Sequence, residues 1–201
     1  MNTTNEFLTE LLINLKSIGY SVDNIVCILQ EGSSLYLKNT GDIDYKVVTK
    51  YKNPEADTNR QFDIQGHIVE CVFYTLKEWN ELVNYKKMIY FVVESPDMKL
   101  VYGSDWKFVR YDVVKDRELA KKVLDNYDKC FFNYVEENKK YGYYQMPEKR
   151  LWNFLLFYFK CENKSHKLTP KQLKILQKAH DLKYSKTMFK EYFYKMKGEY
   201  L

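Results

Sequence analysis

The chain has 201 residues, of which 45% are hydrophobic and 29% charged, so it can bury a core and lacks the composition of a disordered segment. Seven glycines, four prolines and four cysteines exclude a collagen or a disulfide-rich toxin. No stretch approaches the roughly 18 apolar residues of a membrane span, and the N-terminus lacks the features of a secretory signal. We therefore expect a cytoplasmic protein with no membrane partner.

Charge is distributed unevenly along the sequence. Residues 107–201 contain 22 basic and 12 acidic side chains, a net charge of +10, whereas residues 1–106 contain 10 basic and 15 acidic ones, a net charge of −5. The basic half suggests contact with phosphate groups, with RNA as a candidate partner, although a solvated lysine-rich helical surface would give the same count.

The spacing of apolar residues predicts the first helix and the first two strands. An amphipathic helix is predicted over residues 4–18 and is ended by Gly19, since apolar residues recur there at helical intervals. A buried strand over 24–30 leads into a turn at Glu31–Ser34, and Asp42–Val48 alternates as a second strand.

A polar loop is predicted over 50–60 and a longer strand over 61–74, bent at Gly66. A helix follows from Leu76 to Tyr85. Residues 87–112 are ambiguous, because their apolar pieces are short and interrupted.

The C-terminal half is predicted to be helical from Lys115 onward, with Thr169-Pro170 as a helix start. The predicted helices lie near 115–140, 147–162, 169–182 and 184–197. The sequence thus predicts an α+β (α/β) fold, a mixed sheet with flanking helices, followed by a helical half. The boundary is expected near 105–115, which gives domains 1–110 and 111–201.

Three acidic residues and one turn are the candidate functional residues of this sequence. Gly32-Ser33 follows a buried strand, and Asp42 and Asp44 lie on the next strand, where residues two apart share a face and their Cα atoms are roughly 6–7 Å apart. Glu70 within a later strand would complete an acidic cluster.

Clustered carboxylates repel one another unless cations neutralise them. Mg²⁺ is the expected cation, because it binds few carboxylates together with substrate phosphates, and two such ions can act in a phosphoryl displacement; Mn²⁺ is an alternative. The turn at Gly32, Ser33 and Ser34 would offer backbone N–H groups to a phosphate.

This order of residues resembles the signature of the DNA polymerase β-like nucleotidyltransferases: an apolar strand, Gly-Ser, a spacer, Asp-hydrophobic-Asp and a later acid on a strand. The resemblance implies that Asp42 and Asp44 bind two metal ions and that Glu70 binds the catalytic one and helps to deprotonate the acceptor. The third acid is more often Asp in that family. Asp63 is therefore the alternative, and Glu70 is favoured because apolar residues flank it.

A narrower resemblance concerns the predicted nucleotidyltransferases of phages and bacteria grouped as the RNA repair pathway polymerase β family. It depends on the run Glu70–Trp79 and on Glu94-Ser95-Pro96. Those proteins carry a lysine near the start of a helix in their C-terminal half. Lys149 or Arg150 would match it and would neutralise the triphosphate.

The resulting hypothesis is a Mg²⁺-dependent nucleotidyltransferase with a catalytic domain at 1–110, which uses an NTP, with ATP favoured, and releases pyrophosphate. The acceptor is open, with tRNA or another RNA favoured. The alternatives are an antitoxin-like adenylyltransferase that modifies a partner protein, an antibiotic-modifying enzyme, against which the basic half argues, and an inactive nucleotide- or RNA-binding module.

The four cysteines are expected to be reduced core residues, because their spacing fits no metal site. They are Cys27, Cys71, Cys130 and Cys161.

Overall fold

The computed structural model describes residues 5–37, 40–54, 58–84 and 97–104, together with 152, 155–156, 158–160, 162–165 and 167–181. The chain divides into two compact units, Met1–Tyr111 and Asp112–Leu201. The boundary predicted near 105–115 and the helices predicted near 115–140 and 184–197 lie outside the described residues.

The first unit contains a five-stranded mixed sheet in the order β3-β4-β2-β1-β5. Strands β2 and β4 are parallel, and the other neighbouring pairs are antiparallel. The strands are β1 (Ile25–Glu31), β2 (Asp42–Thr49), β3 (Asn59–Ile64), β4 (His67–Thr75) and β5 (Lys99–Gly103), and the helices are α1 (Asn5–Ser17) and α2 (Leu76–Asn84). The predicted mixed α+β architecture is confirmed for this unit.

Helix α1 forms as its apolar spacing predicts and covers one face of the sheet. Its buried residues are Phe7, Leu11 and Leu15, which pack in a core with the strands. The helix is terminated just before Gly19, whose φ of 90° is the left-handed conformation that glycine tolerates. The N–H of Tyr20 donates to the Leu15 carbonyl at 3.0 Å, which closes a Schellman-type C-cap.

The single strand predicted over 61–74 is wrong. It is a hairpin, β3 and β4, joined by a two-residue turn at Gln65 and Gly66, whose φ values of 53° and 75° are both positive. Two left-handed residues make the turn type that matches the twist of paired strands, so the chain reverses where the prediction had it bend.

The opposite face of the sheet is apolar only in part. A smaller core there contains Cys27, Leu29, Val48, Met98 and Trp79, the last from α2. Helix α2 begins with a capping box, because the Glu78 N–H donates to the Thr75 hydroxyl at 3.2 Å and the Thr75 N–H donates to the Glu78 carboxylate at 2.8 Å.

In the second unit, the described residues between 152 and 163 are helical, and a further helix spans Pro170–Asp181. Thr169 caps this helix: Gln172 N–H donates to its hydroxyl at 3.3 Å, and the Thr169 N–H donates to the Gln172 side chain at 2.9 Å. The predicted start at Thr169-Pro170 is confirmed. No helix within the described ranges is long and apolar enough to cross a membrane.

Cys27 and Cys71 are buried and are not in disulfides, as predicted. Cys130 and Cys161 lie outside the described residues.

Candidate functional site

The turn after β1 is built around Gly32, which has φ 76° and ψ −164°. The chain then forms a 3₁₀ turn at Ser33–Leu35, in which the Leu35 N–H donates to the Gly32 carbonyl at 3.2 Å and the Tyr36 N–H donates to the Ser33 carbonyl at 3.0 Å. Ser33 itself is buried. The turn predicted at Glu31–Ser34 is therefore present, and it continues into a short 3₁₀ helix.

The Asp44 carboxylate lies directly against Gly32. A Cβ atom placed on Gly32 would overlap Oδ2 of Asp44 and would lie 3.1 Å from its Cγ. Glycine is therefore required here both by its positive φ and by the space that the carboxylate occupies. The turn and the second aspartate of the Asp-Ile-Asp motif form one structural feature.

Strand register aligns three acidic residues across the sheet, which we call the acidic row: Glu31 on β1, Asp44 on β2 and Glu70 on β4. Asp44 is directly opposite Glu31 in the antiparallel pair and beside Glu70 in the parallel pair. Asp42 lies on the same face as Asp44, two residues earlier on β2, as strand alternation predicts. All four side chains belong to half-buried residues.

A hydrogen bond constrains Glu70. The Asn59 side-chain amide on β3 donates to Glu70 Oε1 at 2.6 Å. The charges of Glu70 and Asp44 also act through the sheet, on Cys71. Burial, supplemented by these two charges, raises the pKa of that thiol from 9.0 to about 12.

Asp63, the alternative third acid, lies at the far end of the hairpin. Its Oδ1 accepts a hydrogen bond from the Gly66 N–H at 3.0 Å, and its register partner on β4 is Ile68. Ile68 is in turn the register partner of Asp42, whereas Glu70 is the partner of Asp44. Strand β4 therefore lies between Asp63 and β2, whereas Glu70 is on β4 itself, directly beside β2.

Lys46 is a residue of this face that sequence reasoning missed. Its Nζ lies 2.6 Å from Oε1 of Glu31, and the two side chains are only 11% and 14% exposed. The ammonium also lies 5.5 Å from the centre of the Tyr74 ring. Burial alone would lower the pKa of Lys46, but the charge of Glu31 and lesser effects of Tyr74 and Asp44 raise it, so the side chain stays charged. Its position two residues after Asp44 was the available signal.

The Gly32 turn is anchored by side chains on both sides. The Ser34 hydroxyl donates to the Glu31 carbonyl at 3.2 Å and accepts from the buried Gln30 amide at 3.1 Å. The Tyr36 hydroxyl donates to Asp97 at 2.5 Å, which connects the turn to the residues preceding β5. The Ser34 hydroxyl is thus engaged in holding the turn.

The acidic side chains are suitable ligands for Mg²⁺, because this ion prefers carboxylate oxygens. In the described part of the chain, however, no three His, Cys, Asp or Glu side chains converge closely enough to form a metal site. The carboxylates are on neighbouring strands, but they are not drawn together around one point. Lys149 and Arg150, the predicted triphosphate ligands, lie outside the described residues.

No known family model matches this sequence, and no curated protein sequence matches it. Among solved structures, the chain is similar to a nucleotidyltransferase-like protein from Exiguobacterium sibiricum 255-15. The match has 13% sequence identity and a TM-score of 0.33, and it covers 90% of this chain and 66% of that one, just under two thirds of its length.

Proposed function

We propose that this chain is a nucleotidyltransferase that moves a nucleoside monophosphate from an NTP, with ATP favoured, to an acceptor hydroxyl. The observation that carries the proposal is the contact between Asp44 and Gly32. It places a carboxylate suited to a metal ion against a glycine turn suited to a phosphate, and a metal–triphosphate complex needs both groups at one place.

Asp42, Asp44 and Glu70 are the residues that would hold Mg²⁺ or Mn²⁺. The bound metal would neutralise charge on the triphosphate and stabilise the attacking and leaving oxygens. A carboxylate has two oxygens, so the hydrogen bond from Asn59 to Oε1 of Glu70 does not prevent Oε2 from serving as a ligand.

The other residues bind and position the nucleotide. Backbone N–H groups around Gly32–Ser34 and the Ser33 hydroxyl would bind the β- and γ-phosphates, and Lys149 or Arg150 would add positive charge. The acceptor oxygen forms a bond to the α-phosphorus, the bond from that phosphorus to the bridging oxygen breaks, and pyrophosphate leaves with the electron pair. The hydroxyl proton goes to a carboxylate, for which Glu70 is our candidate.

An RNA acceptor is favoured by the net charge of +10 on residues 107–201. Two lysines of the second unit, Lys171 and Lys174, are exposed on the helix Pro170–Asp181 and are available to phosphates. Modification of a partner protein is the second candidate, because the same phosphoryl chemistry applies to a side-chain hydroxyl.

The central experiment follows the label. Purified protein is incubated with NTPs labelled at the α-phosphate, Mg²⁺ or Mn²⁺, and pooled tRNA, and separately with a protein extract. We expect RNA to gain the label, and Asp44→Asn to abolish the gain. NTP labelled at the γ-phosphate should label only pyrophosphate, which distinguishes this reaction from a kinase. If no molecule gains label, the chain is an inactive binding module.

Salt dependence tests the RNA acceptor separately. We expect RNA affinity, measured by filter binding, to fall with a log–log slope of roughly −0.7 per single-strand phosphate contacted. Charge reversal at Lys171 and Lys174 should weaken RNA binding only, whereas reversal at Lys149 and Arg150 should impair NTP use with every acceptor. RNA affinity that is flat with salt would place the protein acceptor first.

A further inference from the structure

Among the described residues, Lys46 is the buried cation on the sheet face that carries Asp42 and Asp44, which we call the acidic face. Lys46 lies on β2 two residues after Asp44 and on the same face of the sheet. Its register partner on β1 is Leu29, and that on β4 is Val72. The lysine therefore lies between the acidic row and the smaller apolar core, at the point where the face changes from charged to apolar.

Glu31 is the partner that Lys46 engages, and it is also the residue opposite Asp44. Like charges directly opposite each other on antiparallel strands destabilise the pair. Without a cation, Glu31 and Asp44 would repel each other immediately before the Gly32 turn. The 2.6 Å contact from Lys46 to Glu31 removes this repulsion by a charge that the chain itself supplies.

We propose that Lys46 is a built-in counter-ion of the acidic row, which engages Glu31 and leaves the carboxylates of Asp42, Asp44 and Glu70 to divalent cations, whose affinity its own charge limits. The proposal rests on the proposed function, because it assumes that these acids bind a cation. It makes Lys46 and Glu31 positioning residues, which act on the site through charge.

The two partners are expected to have opposite effects on cation binding. Lys46→Met removes a positive charge near the site, so Mn²⁺ alone, followed by electron paramagnetic resonance, should bind about tenfold tighter. Glu31→Gln leaves the lysine uncompensated beside Asp44, so Mn²⁺ should bind about tenfold weaker. The double variant restores the net charge and should bind within about threefold of wild type. An unchanged or weaker affinity in Lys46→Met overturns the proposal.

Thermal unfolding without metal provides a second measurement. Lys46→Met should lower Tm by several degrees, the double variant should recover at least half of this loss, and Mn²⁺ should raise Tm more in Lys46→Met than in wild type. Lys46→Arg keeps the charge and should keep wild-type Mn²⁺ affinity. A purely structural role for Lys46 predicts no change in Mn²⁺ affinity in any variant that folds. If Lys46→Met does not fold, Glu31→Gln and the double variant decide the question.

The matched control is the other described lysine–glutamate pair of this unit, Lys52 with Glu78. Its Nζ and Oε1 are 3.6 Å apart, and the side chains are 55% and 43% exposed. Lys52→Met should leave both Mn²⁺ affinity and Tm near wild type, because exposed ion pairs contribute little. A tenfold tightening in Lys52→Met would mean that net charge alone controls binding, against the proposal.

The outcomes separate this proposal from the proposed function. If the wild type binds Mn²⁺ with the expected variant pattern but transfers no nucleotide, the counter-ion proposal stands and the enzyme proposal fails. If the wild type transfers nucleotide but Lys46→Met leaves Mn²⁺ affinity unchanged, the reverse holds. Binding that appears only in Lys46→Met supports the counter-ion, and absence of binding in both proteins overturns it.

Discussion

The two faces of the sheet are built from the same strands but carry different side chains. On one face, α1 covers a continuous core that includes Ile43, Tyr45 and Val47 of β2. On the other, the alternate residues of β2 change from acids at Asp42 and Asp44 to the buried Lys46 and then to apolar Val48. The odd-numbered residues can therefore anchor the strand in the core while the even-numbered residues remain available for the proposed chemistry.

Substitutions on the face that carries Asp42 and Asp44, the open face, should alter activity. Substitutions on the face covered by α1, the covered face, should alter stability. The largest effect is expected from Asp42→Asn combined with Asp44→Asn. Turnover should fall at least about a thousandfold, roughly 4 kcal/mol of barrier, because the proposed metal ligands are lost. The free energy of unfolding should stay the same or rise, since repulsion is removed. Near wild-type transfer of label, measured with α-labelled NTP, would show that the metal assignment is wrong.

Glu70→Gln should lower turnover by roughly a thousandfold with little change in nucleotide affinity, because its proposed role lies in the transition state. Asp63→Asn is the control, because Asp63 caps the hairpin turn one strand further out. Its turnover should be close to wild type. Steady-state kinetics of the two variants measure this, and the opposite result would assign the third ligand to Asp63.

On the covered face, Leu11→Ala should lower the free energy of unfolding by about 2–5 kcal/mol, because Leu11 is fully buried in the larger core. Urea denaturation measures the loss. The turnover of the folded fraction should be unchanged. An exposed neighbour on the same helix, Ile13→Ala, provides the control and should cost much less.

Gly32→Ala tests the contact between the Gly32 turn and the Asp44 carboxylate. Its φ is close to that of Gly66, 76° against 75°, but nothing lies within 4 Å of a Cβ at Gly66. Both variants should lose about 1–2 kcal/mol of stability from the left-handed backbone. Only Gly32→Ala should also reduce turnover, because the new Cβ displaces Asp44. Equal turnover in the two variants would contradict the coupling of turn and acid.

The smallest effect concerns Cys71, which is buried on the covered face and whose pKa is also raised by the charges of Glu70 and Asp44 on the open face. Its pKa is raised to about 12 in the folded chain, so between pH 9 and 12 the unfolded state loses the proton first and stability falls as pH rises. From pH 7 to 10, wild type should lose about 1.4 kcal/mol more than Cys71→Ala. Urea denaturation at both pH values measures the difference, and equal losses would exclude this burial effect.

Local patterns were enough to predict much of the first unit. The spacing of Phe7, Leu11 and Leu15 predicts α1, and strand alternation places Asp42 and Asp44 on one face. Both depend on residues close together in the chain. The hairpin was missed because its turn places Gln65, a residue without a preference for positive φ, in the left-handed region.

The parts of the site that could not be predicted depend on strand register. Nothing in the separate strands says that Glu70 lies beside Asp44, or that Glu31 lies opposite it. The Lys46–Glu31 ion pair follows from the same register, since the two residues are 15 positions apart in the sequence. A pattern of alternation gives the face of a side chain, whereas its neighbours across the sheet depend on tertiary pairing.

The parallel pairing of β2 with β4 has a consequence for how the chain folds. Strands β1 and β2 are consecutive, as are β3 and β4, so each pair can form as a local antiparallel unit, whereas β2 and β4 must meet across an intervening strand. Pairings between distant segments cost more loop entropy and form later. The repulsion between Asp44 and Glu70 therefore arises only when β2 meets β4, after Lys46 and Glu31 have already paired within the earlier β1–β2 hairpin.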